Sequence, residues 1–209
     1  MIGSETMRAS VRKSFPELAQ IEDQGLQEKV IDAWCLALSE SEFERIEDIP
    51  GIGGPDAPPI KNGTQVEHLR VTAQFAIGMM DAVEKVFGPY DVNRDEVIAG
   101  ALLHDVGKAF ELSPRNRARW EANPNKTGLP PVRHPVYGVH ITAAAGLPES
   151  VVHIVGSHSR NNEGQFVQTS LEAQIVQFAD YTSWRIIDKA NMMEWPMWVD
   201  GKLQLRKKS

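Results

Sequence analysis

The 209-residue sequence contains a single cysteine, Cys35. One thiol excludes an internal disulfide and any thiolate cluster, so a metal site must use histidine and carboxylate ligands. The sequence has no apolar run of membrane-spanning length and no signal-peptide pattern, so we expect a cytoplasmic protein that does not bind a membrane. Positively charged residues are outnumbered: the sequence has 22 Lys and Arg against 28 Asp and Glu, and its net charge is −6. This balance argues against nucleic acid as a partner.

Helical patterns dominate, and the apolar fraction of 42% suffices for a buried core. In three segments a Thr or Asn is followed three positions later by Glu, which is the layout of a capping box at a helix start. These segments begin at Thr64, Asn93 and Thr169, and the helices that follow should end near Val86, Asp105 and Asp188. Further helices are predicted between Ser14 and Leu38, between Pro135 and Ala145, and from Pro148 to near Gly156.

Polar and Gly- or Pro-containing stretches separate these helices. Loops are predicted at residues 51–59 and 113–133, and a small hairpin around Asp200-Gly201. The length favours one all-α domain. In it, residues 1–63 form an N-terminal helical extension packed on the core, residues 64–188 form the core, and residues 189–209 form a C-terminal tail.

The segment 97–106 is the most informative, because its only polar side chains are His104 and Asp105. A helix that is apolar all round is buried on every face, and an ionised Asp in it is costly unless it is paired or binds a metal. A divalent cation would compensate the carboxylate and accept the neutral imidazole together. The segment therefore predicts a metal site, with a buried hydrogen-bonded pair as the alternative.

Four further residues are candidate ligands in fitting local contexts. His68 lies in the first turn of its helix, and Asp180 lies within a wide apolar arc of another. His134 precedes a helix start at Pro135, and His158 follows a predicted helix end.

The order of these six residues resembles the HD-domain superfamily of metal-dependent phosphohydrolases. The local matches are Glu67-His68, residues 103–108 (Leu-His-Asp-Val-Gly-Lys), residues 134–138 (His-Pro-Val-Tyr-Gly) and residues 178–181 (Phe-Ala-Asp-Tyr). Two extra histidines between the His-Asp pair and the last Asp are similar to a two-metal subgroup, and within it to the diadenosine-tetraphosphatase and archaeal cyclic-phosphodiesterase branches. The resemblance covers roughly residues 64–188 and implies an HD-domain helical bundle.

The resemblance also implies roles for the six residues. One metal would be held by His68, His104, Asp105 and Asp180, and a second by His134 and His158, with Asp105 bridging. Two such metals lower the pKa of a shared water and clamp phosphate oxygens. Nitrogen and oxygen ligands without sulfur suit two divalent ions such as Fe or Mn, and the sequence does not choose between them.

Two cationic residues are candidates for contact with the substrate. Lys108, one helical turn after His104, could offset charge that develops on the phosphoryl group, so it joins Asp105 as a candidate catalytic residue. Arg160, just past His158, is a second phosphate-binding candidate. The alternative for each is a solvated surface charge. Tyr181 and Trp184 are either core aromatics or a stacking surface for a base.

Three classes of function remain open. The first is a phosphohydrolase that cleaves a phosphoester or phosphoanhydride of a small metabolite or nucleotide through a metal-activated water. The second is an HD-type di-iron oxygenase that cleaves a C–C or C–P bond, and the third is a non-catalytic ligand-binding or sensor domain. The intact ligand set argues against the third, and iron with oxygen consumption would distinguish the second. The sequence leaves the substrate and the oligomeric state open, with a homodimer among the alternatives.

Overall fold

The computed structural model describes residues 2–53, 57–123, 130–159 and 166–194, and the backbone of two short strands after them. Within this part of the chain the helices are α1 (Glu5–Ser14), α2 (Gln24–Ser39), α3 (Gln65–Phe87), α4 (Arg94–Leu103), α5 (Lys108–Glu111), α6 (Pro114–Glu121), α7 (His134–Ala144), α8 (Glu149–Ser157) and α9 (Leu171–Lys189). Two 3₁₀ turns lie at Pro16–Gln20 and Ile46–Asp48. The all-α fold class is confirmed.

Helix α4 is the centre of the fold. Its residues from Val97 to Leu103 are all buried, and it packs against α2, α3, α8 and α9. A helix enclosed on every side can be apolar all round, as the sequence predicted. The end of α4 therefore delivers the following residues, His104 and Asp105, into the interior of the bundle.

Capping side chains set the starts of the long helices. The Thr64 hydroxyl accepts from the Val66 backbone N–H, and the Glu67 carboxylate accepts from the Thr64 N–H at 2.6 Å, so the predicted capping box is confirmed. The Asn93 side chain accepts from the N–H of Glu96 at the start of α4. These bonds satisfy backbone donors that have no partner within the helix.

The third predicted cap is wrong by one residue. Ser170, rather than Thr169, caps α9, because its hydroxyl accepts from the Ala173 N–H at 3.1 Å. The Thr169 backbone N–H instead donates to the His153 ring at 3.3 Å. Ser170 and Thr169 are both good caps, and the contact with α8 decides between them.

The predicted loop at 113–133 contains a helix, so this prediction is wrong over Pro114–Glu121. Pro114 stands in the first turn of α6, where its fixed φ suits a helix and its missing N–H costs nothing. The buried Trp120 ring anchors α6 through an edge contact with Phe110, 5.9 Å between centroids. With so few buried residues in α6, the apolar periodicity was too weak to predict it. Residues 124–129 lie outside the described part.

The N-terminal helices share the buried core of the rest. Helix α1 was not predicted; Ser4 caps it, and Val11 and Arg8 are among its buried residues. Helix α2 covers α4 and donates a hydrogen bond from Trp34 Nε1 to the Leu102 carbonyl at 3.0 Å. One continuous apolar cluster therefore runs from α1 through α4 to α9.

The C-terminal region contains the expected hairpin. Strands β1 (Pro196–Val199) and β2 (Lys202–Leu205) pair antiparallel, with Val199 opposite Lys202. The turn residues Asp200 and Gly201 lie outside the described part. None of the described helices combines the length and the hydropathy that a membrane span requires.

Candidate metal centre

A tight turn follows α4 and carries the His-Asp pair. The helix ends at Leu103, two residues earlier than predicted, and the Val106 N–H bonds the Leu103 carbonyl at 2.9 Å. Gly107 in this turn is required by packing, because a Cβ there would lie 2.0 Å from the His134 carbonyl oxygen. The missing side chain lets the start of α7 approach the turn, which brings His134 beside Asp105.

Asp105 lies between two pairs of histidines. Its Oδ2 atom is 3.3 Å from His68 Nε2 and 3.4 Å from His104 Nε2. Its Oδ1 atom is 3.1 Å from His134 Nε2 and 3.5 Å from His158 Nε2. Each carboxylate oxygen therefore addresses a different pair, as a carboxylate that bridges two metal ions would.

The nitrogens within each pair face one another. Nε2 of His68 and His104 are 3.1 Å apart, and Nε2 of His134 and His158 are 3.2 Å apart. At these distances two neutral acceptors would oppose each other, so a proton or a metal cation must lie between them. The geometry thus calls for positive charge at two places.

The second ring nitrogens fix the orientation of the imidazoles. Nδ1 of His104 and Nδ1 of His158 each lie 2.8 Å from a backbone carbonyl, of Ala101 and Val155 respectively. Carbonyls only accept, so each Nδ1 carries the hydrogen and each Nε2 of a neutral ring presents a lone pair. Metal-binding histidines are typically held this way.

The outer partners of the other two histidines differ. Ser183 Oγ donates to the Asp180 carbonyl at 2.8 Å and lies 3.4 Å from His68 Nδ1, from which it accepts. His134 Nδ1 lies 3.1 Å from the carboxylate of Glu111. Among the described residues, His134 is therefore the only one of these four histidines whose Nδ1 faces a carboxylate.

Asp180 completes the first group. Its Oδ1 atom lies 3.2 Å from His68 Nε2 and 3.6 Å from His104 Nε2. This oxygen is buried and has no hydrogen-bond partner among the described residues. A buried carboxylate oxygen left unsatisfied is costly, and a metal ion would satisfy it.

The pKa values of the clustered residues also indicate that positive charge is favoured here. Burial opposes a charge on His104, but Asp105 and Asp180 outweigh burial and raise the pKa of His104 to about 10. Burial would raise the pKa of Asp105, but Lys108 and the histidines hold it well below its usual range. Without a metal, protons take the place of cations in this cluster.

These residues fit divalent metal ions. The donor atoms of His68, His104 and Asp180 all lie within 4.8 Å of one another, and so do those of His104, Asp105 and His158. The structure thus brings all six predicted ligands together from α3, α7, α9 and the residues after α4 and α8. Their role as ligands, and the number of metals, remain predictions.

Lys108 is buried beside the bridging carboxylate. Its Nζ lies 2.7 Å from Asp105 Oδ2 and donates to the Ile52 carbonyl at 2.6 Å. The interpretation of Lys108 as a solvated surface charge is wrong, because the residue is only 2% exposed. Its predicted role toward a phosphoryl group stays a prediction. Arg160, the other predicted phosphate-binding residue, lies outside the described part of the chain.

Two residues of the site were missed from the sequence. Gln65, the first residue of α3, donates from Nε2 to Asp105 Oδ2 at 2.8 Å.

Glu111 is the second missed residue. Its Oε2 atom accepts from the His134 backbone N–H at 2.5 Å and from Arg133 Nε at 3.2 Å. Burial opposes ionisation of Glu111, but His134 and Arg133 lower its pKa to about 2. Glu111 stands between Phe110 and Leu112, so the rule that singled out Asp105 could have found it too.

The cluster opens into a cavity of about 190 Å³. Asp105, His134, His158 and Asp180 line it together with Lys108, Gln177, Tyr181 and Trp184. Trp184 packs on the His68 ring, with centroids 4.3 Å apart, and against Gly53. The Trp184 ring thus packs against the His68 imidazole, which favours the interpretation of Trp184 as a core aromatic residue.

Comparison of the sequence with known proteins identifies its family. The HD-domain family model matches residues 66–185, more than half of the chain. The dihydroneopterin 2',3'-cyclic phosphate phosphodiesterase of Methanocaldococcus jannaschii is 33% identical over 184 residues, an alignment that covers 82% of this chain and 68% of the relative. No solved structure matches significantly. The chain therefore belongs to the HD-domain family and is a metal-dependent hydrolase.

Proposed function

We propose that this protein hydrolyses a cyclic phosphodiester of a small metabolite. Water adds across one P–O bond, that bond breaks, and the product is a phosphomonoester. The observation that carries the proposal is the position of Asp105, whose two oxygens each face a pair of histidine nitrogens at 3.1–3.5 Å. This arrangement supports two adjacent cations around a shared carboxylate.

The donor set suggests which ions belong there. His68, His104 and Asp180 would hold one ion, His134 and His158 the other, and Asp105 both. Imidazole and carboxylate without thiolate suit Fe or Mn. When bound, two such ions supply an activated water and positive charge for phosphate oxygens.

Two side chains around the centre, Lys108 and Gln65, would favour the binding and reaction of a phosphate group. Lys108 is held between Asp105 and the Ile52 carbonyl, so its charge stays at the cavity wall without solvent screening. A fixed cation beside the reacting group stabilises charge that develops there. Gln65 donates to Asp105 Oδ2 and so helps to fix the position of that carboxylate between the two histidine pairs.

The size of the cavity and the net charge of the protein favour a small substrate. A cavity of about 190 Å³ has the size of a site for a small molecule. The net charge of −6 also disfavours long polyanions, because neutralising many phosphates requires many Lys or Arg. The relative's name specifies a cyclic phosphate of a small heterocyclic alcohol, and this supports hydrolysis over the oxygenase alternative.

The test begins with metal content. Protein purified without added metal is analysed for Fe and Mn, then loaded with each ion under anaerobic conditions. A panel of 2',3'-cyclic nucleotides, dihydroneopterin 2',3'-cyclic phosphate, diadenosine tetraphosphate and phosphomonoesters is followed by ³¹P NMR. We expect hydrolysis of the cyclic diesters. If no phosphorylated compound reacts and the iron-loaded protein consumes oxygen, the oxygenase function replaces this proposal.

A further inference from the structure

One polar side chain in the cavity wall lacks a hydrogen-bond partner within the described part of the chain. Gln177 lies on α9, is 8% exposed and lines the cavity. Its Oε1 and Nε2 form no hydrogen bond with any residue that the structure describes. Its amide is therefore available to a molecule that enters the cavity.

The chemistry of the Gln177 side chain suggests a role in binding. A Leu of similar size would fill this part of the wall, whereas the Gln177 amide also offers a hydrogen-bond donor and an acceptor to a molecule in the cavity. Gln65 differs, because its Nε2 is engaged with Asp105 at 2.8 Å, although its Oε1 has no partner among the described residues. The Gln177 amide would be satisfied by a polar molecule in the cavity.

The position of Gln177 separates it from the metal ligands. Asp180 follows it by three residues and Tyr181 by four, so all three lie on one face of α9. Three residues correspond to about 4.5 Å along a helix axis, so the amide stands one turn away from the carboxylate that faces the histidines. The Tyr181 ring, 46% exposed, also lines the cavity. The cavity wall thus continues past the metal centre with an amide and an aromatic ring.

We propose that Gln177 is a specificity-determining residue that binds the polar edge of a planar nitrogen heterocycle in the substrate. An amide offers a donor and an acceptor side by side, which matches the paired acceptor and donor of a 2-amino-4-oxopyrimidine edge, as in pterins and guanine. The Tyr181 ring would lie against the heterocycle face. The inference rests on the proposed function, because the relative's named substrate contains a pterin ring.

A kinetic test distinguishes an effect on heterocycle binding from an effect on the reaction at phosphate. Gln177→Leu is compared with wild type on 2',3'-cyclic GMP and on glycerol 1,2-cyclic phosphate, which has no heterocycle. We expect kcat/KM for cyclic GMP to fall roughly 10- to 100-fold, as when a site loses a hydrogen bond it was built to make, and to stay unchanged for the glycerol compound. Equal losses on both compounds, or none on either, would overturn the inference.

The matched control is Gln174→Leu, the same substitution at an exposed position one turn earlier on α9. It should leave both activities unchanged. A second readout does not need activity: metal-free wild type should bind 7,8-dihydroneopterin, measured by its fluorescence, and Gln177→Leu should bind it at least about tenfold more weakly. Unchanged binding would overturn the inference even if no cyclic phosphate is hydrolysed, whereas failed hydrolysis alone would overturn the proposed function.

Discussion

Two clusters of charged side chains are buried in this molecule, and they differ in what they leave unsatisfied. In the N-terminal cluster, Arg8 is 1% exposed and donates to Asp32, to Glu28 at 2.5 Å and to the Ile2 carbonyl at 2.8 Å. In this cluster the guanidinium donors are paired with carboxylate and carbonyl acceptors. At the metal centre, two carboxylates and four imidazoles converge, and acceptors face acceptors.

The unpartnered atoms make the difference explicit. The N-terminal cluster leaves Arg8 Nε without a partner, and the metal centre leaves Asp180 Oδ1 without one, among the described residues. Arg8 Nε is a donor and cannot bind a cation, whereas Asp180 Oδ1 is an acceptor and can. Burial of charge therefore does not by itself mark a functional site. An unpartnered carboxylate oxygen does not mark one either, because Glu47 Oε2 beside α1 is buried without a partner among the described residues. The metal centre is distinguished by the convergence of such an oxygen with several imidazole nitrogens.

Removing the shared carboxylate should produce the largest effect. Asp105→Ala takes one ligand from both proposed metal positions and leaves Lys108 buried without its partner. We expect loss of both metals and a fall in hydrolysis of roughly a thousandfold or more, since metal ions supply several kcal/mol of transition-state stabilisation. Elemental analysis and turnover measure this.

Two further variants make the Asp105 result interpretable. Asp105→Asn keeps the shape of the side chain and tests whether loss of folding explains the effect, with circular dichroism as the check. Asp81→Asn changes an exposed aspartate that pairs with Arg94, and it should retain metal and activity. Full metal occupancy in Asp105→Ala would refute the bridging role.

Lys108 tests whether the centre acts on phosphate. Lys108→Ala removes a positive charge that lies 2.7 Å from Asp105, so it should not weaken metal binding. Turnover should fall about a hundredfold, because one charged donor to a transition-state oxygen contributes on the order of 3 kcal/mol. Retained metal with wild-type turnover would remove Lys108 from the mechanism. Lys29→Ala on α2, away from the cavity, is the control.

Glu111 tests whether the two metal positions are alike. Its carboxylate is 3.1 Å from His134 Nδ1, whereas the other three described histidines meet a carbonyl or a hydroxyl. Glu111→Gln should weaken the metal at His134 and His158 by about 10- to 100-fold, the usual cost of losing an outer-shell partner. The metal at His68, His104 and Asp180 should stay. Stepwise titration with Mn²⁺ measures both affinities, and equal weakening of both would contradict the assignment.

The sequence predicted what depends on local chemistry. Thr64 and Asn93 cap helices because their oxygens reach backbone N–H groups two or three residues away. The His104-Asp105 pair stood out because an ionised residue in an apolar helix demands a partner. The family and the all-α class followed from such local signals in the right order.

What the sequence did not predict depends on contacts between distant segments. Helix α6 buries too few residues for a periodic pattern, and the unpaired amide of Gln177 is visible only once the cavity is assembled. Gln65 reaches Asp105 across 40 positions of sequence. No propensity or spacing encodes such a contact, because it results from the packing of α3 against α4.

The N-terminal cluster should show the smallest effect, in the pH dependence of stability. Hydrogen bonding and charge from Arg12 and Arg8 lower the pKa of Glu28 below 4.5. Burial opposes ionisation of Asp32, but bonds from Ile2 and Arg8 lower its pKa below 3.8. A carboxylate whose pKa is lowered in the folded protein stabilises the fold fully at pH values above its ordinary pKa. This contribution is lost as the pH falls through the lowered pKa.

Removing Arg8 tests this assignment. Arg8→Met should destabilise metal-free protein at pH 6 and by less as the pH falls below about 4.5, because protonated carboxylates no longer need the guanidinium. Urea unfolding at several pH values measures the free-energy difference. Arg12→Met changes a 40% exposed arginine of the same helix and should cost less at pH 6, because solvent screens its pairs. Metal content should stay unchanged in both. A difference between Arg8→Met and wild type that does not vary with pH would mean that Arg8 contributes packing and not charge, and the contrast between the two clusters would then rest on the metal centre alone.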